Sequence, residues 1–276
     1  MHYLSTRVGP ALVAEASTST TFMAAAGLTE MAGWMAHDAG RDDVAARHFH
    51  RSLNLARAGE ATHLIAQIWA SRAHLALHGN DPDAALVAAE QAWRHLDGSE
   101  DTALRGRVLA MLTRAHAVHG DAASSHAALA QAERLLSASL SPPASEWTSP
   151  FDMGSLASEA ARSMCDLGDH AAAAEHARHA LRLRTPDRTR ARALASLTLA
   201  HALVGKGEVE EAAAVTRHVG SSAASVGSLV VSGHLKAVAE ALLPYRSARG
   251  IATVLDEVDS ALARHRGMYH WLGRGA

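Results

Sequence analysis

With one cysteine, Cys165, the chain can form no internal disulfide, which fits a reducing compartment. Aromatic residues are also scarce. Five Trp, three Tyr and three Phe in 276 residues leave alanine and leucine to build the core, the composition of an all-helical protein. Lysine is nearly missing: of 26 basic residues only Lys206 and Lys236 are lysines, the mark of high-GC coding bias. The formal net charge is −2 and no Lys/Arg block occurs, so direct nucleic-acid binding by this chain is not expected. The arginine-rich stretch from Arg178 to Arg192 reads as a solvated helix end and turn. No segment reaches the ~18 apolar residues of a membrane span, and MHYLSTRVGP lacks the apolar core of a signal peptide. A cytoplasmic protein with no membrane contact is the expectation.

What the chain has is a recurring phrase: an apolar helical stretch, a glycine, then an alanine-rich helical stretch. The glycines are Gly40, Gly79, Gly120, Gly168 and Gly207, separated by 39, 41, 48 and 39 residues. A period of this size marks stacked helical hairpins, none of which can bury its apolar face alone. Gly40 suits a left-handed helix end, and Asp42 is placed to cap the helix after it. In that first hairpin Leu28, Met31, Ala32 and Met35 share a helical face and are expected to pack inward. The remaining hairpins are predicted at about 62–78/82–96, 102–119/122–138, 153–167/170–184, 187–205/208–224 and 228–243/248–265, with Pro82 in a first turn. A lead-in helix is expected within residues 1–19 and a loose tail over 267–276, all within a single helical-repeat domain spanning 1–276.

Small residues mark where paired helices approach closely: Gly33 and Ala45, Ala84, Ala173 and Ala212. With Phe49 four residues after Ala45, this pattern resembles a divergent tetratricopeptide repeat, with a period near 40. The later aromatic positions hold Ala88, Leu129, Ala177 and Thr216. The resemblance implies a right-handed α-α superhelix of about six hairpins, all-α. Whole phrases go further. LTEMAGWMAHDAGRDDVAARHFHRSLNLA (28–56), HYLSTRVGPAL at the start and EWTSPFDMGSLASEAARSMCDLGDHAAAAEHARHALRLR (146–184) are similar to the C-terminal sensor half of helix-turn-helix transcription regulators of the phage-repressor type from high-GC Gram-positive bacteria. In those proteins a DNA-binding domain precedes the repeats. No room for one exists before Leu4, so the chain is expected to be an isolated regulatory domain or a stand-alone relative.

In tetratricopeptide arrays the first helix of each hairpin lines the concave side, which singles out a stripe in each repeat. The stripes are Glu30, Trp34, His37 and Asp38; Ile65, Trp69, Arg72 and Ala76; Arg107, Met111, Arg114 and Val118; Ser158, Arg162 and Cys165; and Leu197 with His201. Two tryptophans, an acidic end and several arginines suit a small molecule or peptide carrying apolar and anionic groups. The competing assignment makes Trp34 and Trp69 inter-repeat core and leaves the arginines solvated. The long gap between Gly120 and Gly168 holds an insertion, 139–152, through which three prolines forbid a helix. Its Trp147 and Phe151 either fold over the groove as a lid or plug the hairpin joint, and Asp152 can cap the next helix.

Nineteen histidines raise the question of metal. His74/His78, His116/His119 and His176/His179 can each share a helix face, but a pair supplies two ligands where a site needs three or four. His78 and His119 precede turn glycines, where a histidine suits the helix dipole. No HExxH, paired ExxH, GxSxG, phosphate-binding GxxxxGK[ST] or post-strand GxGxxG occurs. Cys165 reads as an inert thiol. No metal, cofactor or catalytic residue is therefore expected.

The leading expectation is a ligand- or peptide-sensing regulatory domain that binds an effector through Glu30, Trp34, His37, Asp38, Trp69, Arg72, Arg107, Met111, Arg114, Trp147, Phe151 and Arg162. A protein–protein scaffold is the alternative, and an enzyme or metal protein using Glu30, His37 and Asp38 the second. The last hairpin, with Leu229, Val230, Leu235, Val238, Leu242, Ile251, Val254, Leu255, Val258 and Leu262, offers a homodimer face or caps itself.

Overall fold

A computed structural model describes residues 18–96, 98–138 and 146–269. The expected lead-in helix at 4–16, the first half of the insertion (139–145) and residues 270–276 of the tail lie outside the described residues. The described residues form twelve α-helices and one short 3-10 turn. They pair as α1 (Ser19–Asp38) with α2 (Asp42–Ala58), α3 (Thr62–His78) with α4 (Pro82–Arg94), and α5 (Thr102–Val118) with α6 (Ala122–Ala138). Then come α7 (Met153–Asp166) and α8 (His170–Leu183), followed by the pairs α9 (Thr189–Gly205) with α10 (Val209–Val226), and α11 (Leu229–Leu242) with α12 (Ile251–Tyr269). Packing is heaviest inside the first three hairpins, whereas in the second unit α9 packs on α8 as fully as on α10, and α12 packs more on α10 than on α11; first helices also touch first helices: α1 with α3, α3 with α5, and α9 with α11. This is an all-helical, paired-helix architecture of the helical-repeat kind. The chain divides into two compact units, Met1–Glu159 and Ala160–Ala276.

The helix starts follow capping chemistry. The carboxylates of Asp81, Asp101, Asp121, Asp152 and Asp169 each accept a hydrogen bond from the backbone N–H three residues on. That satisfies one of the four donors a helix N-terminus leaves open. Asp42 does not follow the expected pattern. Arg41 occupies the cap of α2 without a side-chain bond, and the Asp42 carboxylate turns instead to His37. The reason is register: Asp81, Asp121 and Asp169 directly follow the left-handed turn residue, whereas Asp42 comes one position later.

The left-handed residues of the turns inside hairpins are Gly40, Asn80, Gly120, Gly168, Gly207 and Gly250, and Glu60, Gly98 and Gly227 take the same region between hairpins. In the second hairpin the turn therefore falls on Asn80 (φ 56°), and Gly79 beside it keeps φ −76°. Asparagine tolerates this region better than other side chains. With the turn moved by one, the buried small residue five positions on is Ala45, Ala85, Ser125, Ala173 and Ala212 in successive hairpins. Ala84, expected at that place, is exposed, and Ala89 stands where Ala88 was expected. Seven positions before the turn the sequence is again small and buried: Gly33, Ala73, Thr113, Ala161 and Ala200. At Gly33 the need is steric, since an added Cβ would lie 2.5 Å from the Phe49 ring.

α1 corrects a second expectation. Met31 and Met35 are 59% and 69% exposed, while Glu30 and His37 are buried with Ala25, Ala26, Thr29 and Gly33. Hydropathy alone put the face of this helix on the wrong side. The side chains that go inside are small ones that let α2 and α3 approach, plus polar ones that find partners there. In the second unit Val230, Leu235, Val238, Leu242, Ile251, Val254, Leu255 and Val258 are buried, where α10, α11 and α12 pack on one another. No described helix is long and apolar enough to cross a membrane.

Candidate functional site

Glu30, on α1, is the strongest chemical feature of the first unit: a carboxylate only 3% exposed. Two donors from α3 hold it. Gln67 Nε2 donates to Glu30 Oε2 at 2.6 Å and Ser71 Oγ donates to Oε1 at 2.6 Å. Arg107, on α5, donates to Ser71 Oγ at 3.1 Å. Burial pulls the Arg107 guanidinium below the ordinary arginine value, and the carboxylates of Glu30 and Glu159 oppose that pull. Charge, amide and hydroxyl thus form one chain across three neighbouring first helices, the condition under which a buried carboxylate is tolerated.

The insertion closes onto the same network. Gln67 Nε2 also donates to the Trp147 carbonyl at 3.1 Å, and Gln67 Oε1 accepts from the Ser149 backbone N–H. The Trp147 ring lies against α1 so closely that a Cβ on Gly27 would meet it at 2.7 Å. Thr148 between them is buried, Phe151 is half-buried, and Asp152 caps α7. A single carboxamide therefore grips the strap by one backbone carbonyl and the amide two residues on, a contact made to main chain rather than to side chains.

Trp34 sits beside this network. Its ring meets Phe49 at 5.5 Å, His74 at 5.1 Å and His37 at 5.9 Å between centroids, and Arg107 Cζ lies 5.7 Å from its centroid. Arg114 pairs with Glu159 at 3.5 Å, both largely buried. Met111 is buried. Asp38 is half-buried and engaged, but in none of these contacts.

Trp69 and Arg72 do not join Glu30 and Trp34. The expected stripe Ile65, Trp69, Arg72 and Ala76 lies two residues from Gln67, Ser71, His74 and His78, roughly 200° around α3. Arg72 instead stacks over the Trp69 ring at 4.4 Å, in an open cleft of about 510 Å³ lined also by Asp42, Leu75, Asp81 and Val87. Burial lowers the Arg72 guanidinium, with Arg57 adding to it. Arg162 belongs to the second unit. There it shares a cleft of about 200 Å³ with Cys165, Asp166, Leu197, His201 and His234, so the stripe residues of the fourth and fifth hairpins do meet. Burial, with His170 nearby, holds the His201 imidazole below the usual histidine range.

Sequence reasoning missed Gln67, Ser71 and Asp42. The signal for the first two was present: counting back from Asn80 as from Gly120 puts Gln67 and Ser71 level with Arg107 and Met111. The bond from Asp42 to His37, Nδ1 to Oδ1 at 2.7 Å, had no such signal. Comparison with models of known families and with curated proteins finds no match to this chain.

Proposed function

We propose that the chain is a ligand- or peptide-sensing regulatory domain whose effector binds on the first helices of the N-terminal unit, where the 146–149 strap now lies. One observation carries this reading: Gln67 holds the main chain of Trp147 and Ser149 as it would hold that of a peptide, with an aromatic side chain seated on Gly27. Main-chain hydrogen bonds of this type give affinity, and the aromatic seat gives specificity. The strap then acts as an internal stand-in that an effector displaces. The reading is one of binding, because both oxygens of Glu30 are spent on Gln67 and Ser71 rather than poised for proton transfer. The resemblance to sensor halves of helix-turn-helix regulators fits such a domain and suggests transcription as the regulated process.

A labelled peptide of sequence SEWTSPF tests the reading on the full chain. The Trp147→Ala variant, whose own strap is weakened, is expected to bind the peptide at least tenfold more tightly than wild type. Adding Gln67→Ala or Trp34→Ala should remove that gain while circular dichroism shows the helices intact. Equal binding by the Gln67→Ala variant would dismiss the carboxamide clamp.

A further inference from the structure

We infer that His37, Asp42 and His78 form a binding site for one divalent transition metal ion, of which zinc is the type, at the joint between the first two hairpins. The three residues come from the end of α1, the start of α2 and the end of α3, and the atoms they would offer lie within 4.8 Å of one another. His37 Nδ1 is 2.7 Å from Asp42 Oδ1, and His78 Nε2 is 3.6 Å from Asp42 Oδ2. The two imidazoles meet edge to face with centroids 4.7 Å apart. Ligands around a tetrahedral zinc ion stand about 3.3 Å from one another, given bonds of about 2.0–2.1 Å. Small side-chain rotations suffice to bring the set to that spacing, with water in the fourth place.

Two observations single this cluster out from the other histidine–aspartate contacts. His37 is 1% exposed, and three positions before the turn, where it stands, the next hairpins carry Leu77 and Ala117, also buried. In that otherwise apolar place the imidazole turns Nδ1 to the Asp42 carboxylate. Asp42 is released from helix capping, the task of Asp81, Asp121 and Asp169 in the equivalent turns, and is directed at His37 instead. The site is reachable, since Asp42 is 41% and His78 36% exposed and Asp42 also borders the open cleft of Trp69 and Arg72. An ion there would staple the first hairpin to the second.

The test uses the full chain without a purification tag, stripped by chelator and then titrated with zinc, and separately with cobalt(II). The expected result is one equivalent of zinc bound and a visible cobalt absorption of tetrahedral intensity. Asp42→Asn and His78→Ala should each weaken zinc binding at least tenfold. His176→Ala, in the second unit, should leave it unchanged. Zinc should also raise the Tm of wild type but not of Asp42→Asn. Both substituted residues are partly exposed, so the variants keep their helices, which circular dichroism checks. No stoichiometric zinc, or zinc binding that neither Asp42→Asn nor His78→Ala weakens, overturns the site.

Discussion

Replacing Glu30 with alanine removes the acceptor at the centre of the first unit's polar chain. Two donors are stranded, Gln67 Nε2 and Ser71 Oγ, both on residues with 1% or less exposure. A hydrogen bond to a charged group contributes about 1.5–3 kcal/mol, and a buried group left unsatisfied costs about 1–3 kcal/mol. Gln67 can still use its bond to the Trp147 carbonyl, and Ser71 can turn toward the Gln67 carbonyl at 3.1 Å, so part of the loss is recovered. Arg107, already weakened as a cation by burial, loses its nearest negative charge but keeps that of Glu159. The net expectation is a destabilisation of about 3 kcal/mol, within the range for breaking a buried charged pair. Glu30→Gln keeps the shape and one acceptor oxygen, so about half that loss is expected. Urea unfolding followed by tryptophan fluorescence reads mainly this unit, because four of the five tryptophans, Trp34, Trp69, Trp93 and Trp147, belong to it. With a slope of about 2 kcal/mol per molar urea the midpoint should fall by about 1.5 M. A Glu30→Ala shift below about 0.3 M, or a Glu30→Gln loss as large as the alanine one, would refute the view that the carboxylate organises the site.

The turn register predicts opposite outcomes for adjacent-looking glycines. Gly79→Ala should be neutral or gain about 0.5 kcal/mol, since φ is −76° and the nearest backbone oxygen is 3.5 Å from a new Cβ, whereas Gly40→Ala at φ 67° should lose about 1 kcal/mol; a melting comparison decides it. Below neutral pH the protein should lose stability through histidine. Burial holds His48, His95, His201 and His265 below the usual histidine range, with nearby Arg51, Arg57 and His170 adding to the first three. Their folded pKa values lie under the unfolded value of about 6.5, so the contribution is complete above that pH and is lost as pH falls through the folded values. Tm should therefore drop between pH 7 and 5, less steeply in His201→Asn, and a flat profile would contradict the assignment.

The periodicity made the paired-helix plan legible, because turn glycines and buried small residues recur in sequence for a steric reason that needs no partner to be known. Gly33 against Phe49 shows this, as does the run Ala45, Ala85, Ser125, Ala173 and Ala212. The error entered where the sequence offered two residues for one role. Gly79 is the stronger turn residue by type, yet Asn80 takes the left-handed place, and Ala84 and Ala88 were chosen over Ala85 and Ala89. The site was less legible for a different reason. Hydropathy places Met31 and Met35 inside and Glu30 and His37 outside, and the fold does the reverse because the two polar side chains find partners 37 and 5 residues away. Whether a charge can be buried depends on what meets it in space, and sequence spacing carries no record of that. The aspartates make the same point from the other side. Asp81, Asp121 and Asp169 announce themselves as caps by following the turn directly. Asp42, displaced by a single residue, keeps the same side chain and loses that role, so it is the departure from the repeat, not the repeat, that marks where this scaffold can bind something of its own.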